Sequence, residues 1–153
     1  APRVIPGVAA PPSAQTATPA TPQPAGAAGP REEFNTALEL YRAGQYESAE
    51  TGLKSFLVKN PKSRLAPDAI YYLGETYFQR GRHREAADQY LKIATEYAQT
   101  TRAPDSMLRL GLALQAMGAK EQACATLGEI ARKYPAASAA VRGADREMKR
   151  ARC

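Results

Sequence analysis

The sequence predicts an all-helical solenoid of three helix pairs closed by one C-terminal helix. Three observations carry that class. Gly44, Gly81 and Gly118 recur at a constant interval, since 81 − 44 and 118 − 81 are both 37. Pro30, Pro67 and Pro104 repeat at the same interval, each 14 residues before a glycine. Apolar columns also keep step: Ala37/Gly74/Gly111, Leu40/Tyr77/Leu114, Ala49/Ala86/Ala123, Leu53/Tyr90/Leu127 and Phe56/Ile93/Ile130. One helix pair cannot bury its own apolar face, whereas stacked pairs can.

The elements follow in order. Residues 1–30 hold eight of the 12 prolines and a single charge, Arg3. Proline removes backbone donors and little here could be buried, so a disordered Pro/Ala-rich linker is expected over 1–30. From residue 31 to 153 the pattern turns helical. Each proline suits a first helical turn, and each glycine suits the reversal at a helix end, where a positive φ is needed. Helix pairs are expected at about 31–43/46–59, 67–80/83–97 and 104–117/120–133, in repeats of about 30–66, 67–103 and 104–137. Small residues in the Ala37 and Ala49 columns allow close helix approach, and the large columns fill the space between pairs. A capping helix is expected near 138–151, where Val141, Ala144 and Met148 form an apolar stripe and the rest is charged.

Composition narrows the function classes. Apolar residues make up 44% and charged residues 24% of the 153 residues, ordinary for a globular domain. No apolar run approaches the roughly 18 residues of a membrane span. The net charge of +6 is scattered rather than striped, which argues against a nucleic-acid face. His83, in RGRHRE, has no partner Ser, Cys or Asp motif and reads as a solvated turn residue. There is no phosphate loop and no HExxH, and Cys124 and Cys153 fit no zinc or CxxC spacing. Hence no enzyme, no cofactor and no metal site is expected. Two cysteines permit one disulfide in an oxidising compartment, or two unpaired thiols.

Leu73-Gly74, Tyr77, Gly81, Ala86 and Tyr90, and again Leu110-Gly111, Gly118, Ala123, Leu127 and Pro135, resemble the tetratricopeptide repeat, with a 37-residue period in place of the usual 34. The three extra residues are expected in the turns between repeats, SRLAP at 63–67 and TTRAP at 100–104. A narrower resemblance rests on LYRAGQYESAE, NPKSRLAPDAIYYLGETYFQRGRHREAADQY, APDSMLRLGLALQAMGAKEQACATL and KYP. Over roughly residues 32–150 these resemble the C-terminal domain of the periplasmic cell division coordinators of the Tol–Pal system, the CpoB/YbgF family. That resemblance implies a non-enzymatic periplasmic scaffold that binds TolA and a bifunctional penicillin-binding protein. It would coordinate septal peptidoglycan synthesis with outer-membrane constriction. Family members carry an N-terminal coiled coil that forms trimers. No heptads occur here, so a monomer is expected. The alternatives are a periplasmic component of outer-membrane protein assembly, or a generic peptide-binding adaptor. The former would need a lipidated N-terminal cysteine and about five repeats.

The first helices keep a second stripe once core columns are assigned. It holds Phe34, Leu38 and Tyr41, then Tyr71, Glu75 and Phe78 with Tyr72, then Leu108, Leu112 and Gln115 with Arg109. Spacings of i, i+4, i+7 place each set on one face. The stripe reads either as an aromatic groove for a partner, with Glu75 and Arg109 as its charges, or as further core. Because Phe34, Tyr71 and Leu108 stand where a carboxylate clamp would lie, an internal apolar segment is the expected ligand. In a periplasm, Cys124 and Cys153 would pair and pin the cap to the third repeat; the alternative is a buried Cys124 and a frayed Cys153.

Overall fold

A computed structural model describes residues 29–153; the linker expected at 1–30 falls almost wholly outside them. Seven helices follow in order: α1 Pro30–Arg42, α2 Tyr46–Lys59, α3 Ala66–Gln79, α4 His83–Glu96, α5 Arg102–Ala116, α6 Lys120–Lys133 and α7 Ser138–Ala151. The described residues are all-helical. Each helix touches its neighbours in sequence, and the first helices α1, α3, α5 and α7 also touch one another in turn. That is the pattern of a solenoid.

The glycine turns form as expected. Gly44, Gly81 and Gly118 have φ of 77°, 74° and 79°. In each turn the residue after the glycine donates its N–H five residues back, as Gln45 does to Leu40 O, Arg82 to Tyr77 O and Ala119 to Leu114 O, all at 2.9 Å. These bonds satisfy helix-end carbonyls that water would otherwise have to reach. Nothing lies within 4 Å of a Cβ built on Gly81, so only backbone conformation restricts that site. Gly81→Val is therefore expected to lower stability by about 1–2 kcal/mol through αL strain alone. Urea denaturation checks this, and a loss below a few tenths would remove the conformational argument.

Packing follows the columns. Ala49, Ala86, Ala123, Leu53, Tyr90, Leu127, Phe56, Ile93 and Ile130 are all 0% exposed. Gly111 is needed for contact: an added Cβ would come 2.5 Å from Leu127 Cδ2. The Leu40/Tyr77/Leu114 column departs from expectation, for Tyr77 is buried while Leu40 and Leu114 are half-buried. Leu40 lies on the outer side of the first pair, where no earlier helix covers it among the described residues.

Two local expectations are corrected. Arg102, read as part of the turn TTRAP, is the first residue of α5, so Pro104 is third in that helix. Its missing N–H is still one of those that no intrahelical carbonyl could accept from. His83, read as a solvated turn residue, opens α4 half-buried, with its ring edge-on to Phe78 at 4.9 Å between centroids.

The cap is held covalently. Cys124 on α6 and Cys153 beyond α7 form a disulfide, with Cα atoms 5.6 Å apart. Arg152 adopts φ 56°, and Cys153 donates its N–H to Met148 O at 3.0 Å, which turns Cys153 back towards α6. α7 also keeps the repeat register: Ala66, Ala103 and Ala140, each 37 residues from the next, are all buried.

Candidate functional site

The first helices bring most of the second stripe together, but not all of it to the surface. Phe34 and Leu38 are 5% and 9% exposed. Phe34 lies between Phe56 and Tyr72, at 5.9 and 6.2 Å between ring centroids. Both residues therefore belong to the core, and as groove-lining residues they are corrected. Leu108 is half-buried against α7, where Gly143 makes room for it: a Cβ there would come 2.7 Å from Leu108 Cδ2. Leu112, four residues on along the same face of α5, is also half-buried.

Tyr41, Tyr71, Tyr72 and Phe78 are half-buried and form a linked surface. Tyr72 stands 5.5 Å from Tyr41 and 5.4 Å from Tyr71, and Tyr41 stands 5.7 Å from Tyr46. Arg102 covers Tyr71 and Tyr72, with its guanidinium 4.5 and 5.2 Å from their centroids. It also donates to Asp68 Oδ1 at 2.7 Å. Such a surface is rigid and amphipathic, which limits the entropy lost on binding.

The two charges are satisfied by each other. Glu75 is 8% exposed, yet it accepts from Arg109 Nε at 2.6 Å and from Arg109 Nη2 at 3.1 Å. Tyr90 donates its hydroxyl to Glu75 Oε1 at 2.5 Å, and Tyr41 reaches Oε2 at 3.5 Å. Arg109 in turn lies 4.5 Å over the Phe78 ring. The cluster thus draws on all three repeats, with Tyr41 from the first, Glu75 and Tyr90 from the second and Arg109 from the third. A paired, buried carboxylate locks the repeats in register rather than offering a free charge to a ligand.

Burial, and then the Glu75 carboxylate, push Tyr41 and Tyr71 each up to about 12 from 10.0. The same two causes hold Tyr90 far above its ordinary value. The neutral phenol is the form the fold favours, so this stabilisation is complete below pH 10 and is lost as pH climbs through about 12. Absorbance titration of the phenolates should show Tyr41 and Tyr71 ionising well above pH 10, near about 12, in the folded protein. Full ionisation of all tyrosines near pH 10 with helicity intact would contradict it.

The polar partners are the part that sequence reading misses. Column alignment places Tyr90 in the core alone, and it places Asp68 at a helix start and Arg102 in a turn. Their signal is a spacing of 34: Tyr41–Glu75, Asp68–Arg102 and Glu75–Arg109 all have it. One repeat less one helical turn brings side chains of adjacent first helices face to face. No group of three or more metal-ligating side chains occurs among the described residues. No helix of the described residues is long and apolar enough to cross a membrane.

Two family models, both described as tetratricopeptide repeat, match residues 34–101 and 105–137. Among curated proteins, none matches the chain. Among solved structures, a thermophilic TPR protein of Thermus thermophilus is similar, with 24% identity and a TM-score of 0.56. The match covers 70% of this chain and 58% of that one, so this chain spans well under two thirds of its relative, and the likeness is one of fold. Repeat models and helical register agree, and the array is built of tetratricopeptide repeats.

Proposed function

We propose that this chain is a non-enzymatic periplasmic scaffold that binds TolA and a bifunctional penicillin-binding protein. In that role it coordinates septal peptidoglycan synthesis with outer-membrane constriction through the Tol–Pal system. Tetratricopeptide repeats serve protein–protein interaction, and the exposed side of Tyr41, Tyr72 and Leu112 supplies apolar anchors on a rigid frame. The observation that carries the reading is this half-buried aromatic face, whose polar groups are already paired. It suits an apolar partner segment better than a free carboxylate. The Cys124–Cys153 disulfide is compatible with an oxidising compartment.

Calorimetric titration against the periplasmic region of TolA tests the reading, with Tyr72→Ala and Leu112→Ala beside the wild type. The expected result is binding weakened about tenfold or more in each variant, as for a central anchor, with helicity unchanged. Binding kept in both variants would move the site elsewhere. No binding by wild type would overturn the TolA assignment and leave a peptide-binding adaptor of another system.

A further inference from the structure

The face built by α1, α3 and α5 continues onto α7, because α7 keeps the repeat register. Where α3 carries Asp68, Tyr72 and Glu75, and α5 carries Asp105, Arg109 and Leu112, α7 carries Arg142, Arg146 and Lys149. All three cations are exposed, and their spacing of i, i+4, i+7 sets them on one side. None of them enters an ion pair among the described residues, while Arg102, Arg109, Arg132 and Arg150 all do.

The 34-residue ladder explains why. Arg102 reaches back to Asp68, and Arg109 to Glu75. One repeat further on, the residue 34 before Arg146 is Leu112 in place of a carboxylate, and the residue 34 after Asp105 is Ala139 in place of an arginine. Both rungs are broken between α5 and α7. The acidic groups near the stripe are Asp105 on α5 and Asp145 on α7, while Glu147 is held by Arg150. The fold thus leaves a cationic end beside an apolar face.

We propose that this end takes the carboxylates of an acidic–apolar segment of a protein partner. The segment's apolar side chains rest along the face that holds Leu112 and Tyr72, and its acidic residues meet Arg142, Arg146 and Lys149. The proposal rests on the reading that this face binds a partner segment, and it adds the partner's charge and its direction along the array. A lipid surface is the weaker match: polybasic lipid sites use about 4–8 cations, whereas here Asp145 stands among three.

Fluorescence anisotropy with a labelled peptide of three Glu-Leu-Asp units, and with its Gln-Leu-Asn counterpart, tests it. The acidic peptide should bind about tenfold tighter at 50 mM NaCl, three exposed ion contacts each giving a factor of about two to three. The advantage should shrink at 200 mM NaCl. It should vanish in the Arg142→Ala/Arg146→Ala/Lys149→Ala variant and persist in Arg132→Ala/Lys133→Ala on α6. Leu112→Glu restores the missing rung from within and should also remove the advantage, whereas Gln122→Glu, of equal net charge, should not. Equal binding of the two peptides, or an unchanged triple variant, would overturn the proposal. So would stripe-dependent capture of phosphatidylglycerol vesicles with no acidic-peptide binding. Failure to bind TolA with acidic-peptide binding intact would sink the partner assignment alone.

Discussion

Glu75→Ala is expected to cost about 3–5 kcal/mol, because it strands a partly buried guanidinium and a buried phenol at once. Arg109 loses both hydrogen bonds, and Tyr90, 0% exposed, loses the acceptor 2.5 Å from its hydroxyl. Glu75→Gln keeps an acceptor but not the charge, so an intermediate loss is expected. The double variant Glu75→Leu/Arg109→Leu should cost much less than its two single changes together, since it leaves no uncompensated ion. Urea unfolding followed by helical ellipticity measures all of these variants. A Glu75→Ala loss under about 1 kcal/mol, or strict additivity in the cycle, would mean that solvent already carries these groups. Because the cluster ties three repeats, the change should also broaden the unfolding transition, as expected when neighbouring units uncouple.

Opening the disulfide is the second large effect. The bond closes a loop across a sequence separation of 29, and chain entropy assigns such a crosslink about 3–4 kcal/mol. α7 has little else to hold it, for its buried residues are the small Ala140, Gly143 and Ala144, with Val141 and Met148 half-buried. Reduction, or Cys153→Ser, should therefore lower the Tm by on the order of 10 °C. It should also expose Leu108, Met107 and Ile130, which α7 covers or borders. Dye binding to apolar surface and amide exchange across 138–151 read this directly. Unchanged melting and exchange after complete reduction would show that packing alone seats the helix.

Much of the architecture could be read from repetition. Three glycines at one interval forced three reversals, and the Ala49, Leu53 and Phe56 columns named the core that forms. The binding face was harder to see. Phe34 and Leu38 sit at stripe spacing, yet neighbouring helices close over them, and spacing along one helix cannot reveal what another covers. Glu75 and Arg109 looked like two charges of a groove and proved to be one pair. Their link depends on the offset between adjacent helices, which a 37-residue alignment hides because it matches like positions rather than facing ones. Tyr90 was hidden for another reason: a column occupied by leucine in the other repeats disguises the one member with a hydroxyl.

The disulfide sits at one end of an array whose helices touch only near neighbours, and this gives the molecule a direction of failure. Among the described residues, a pull at the α1 end meets only the contacts of α1 with α2 and α3, so pairs can peel away one after another. A pull at the other end meets a covalent knot that ties Cys153 back to α6. Opening would therefore start at the α1 side and spread pair by pair, while the crosslinked end comes apart last.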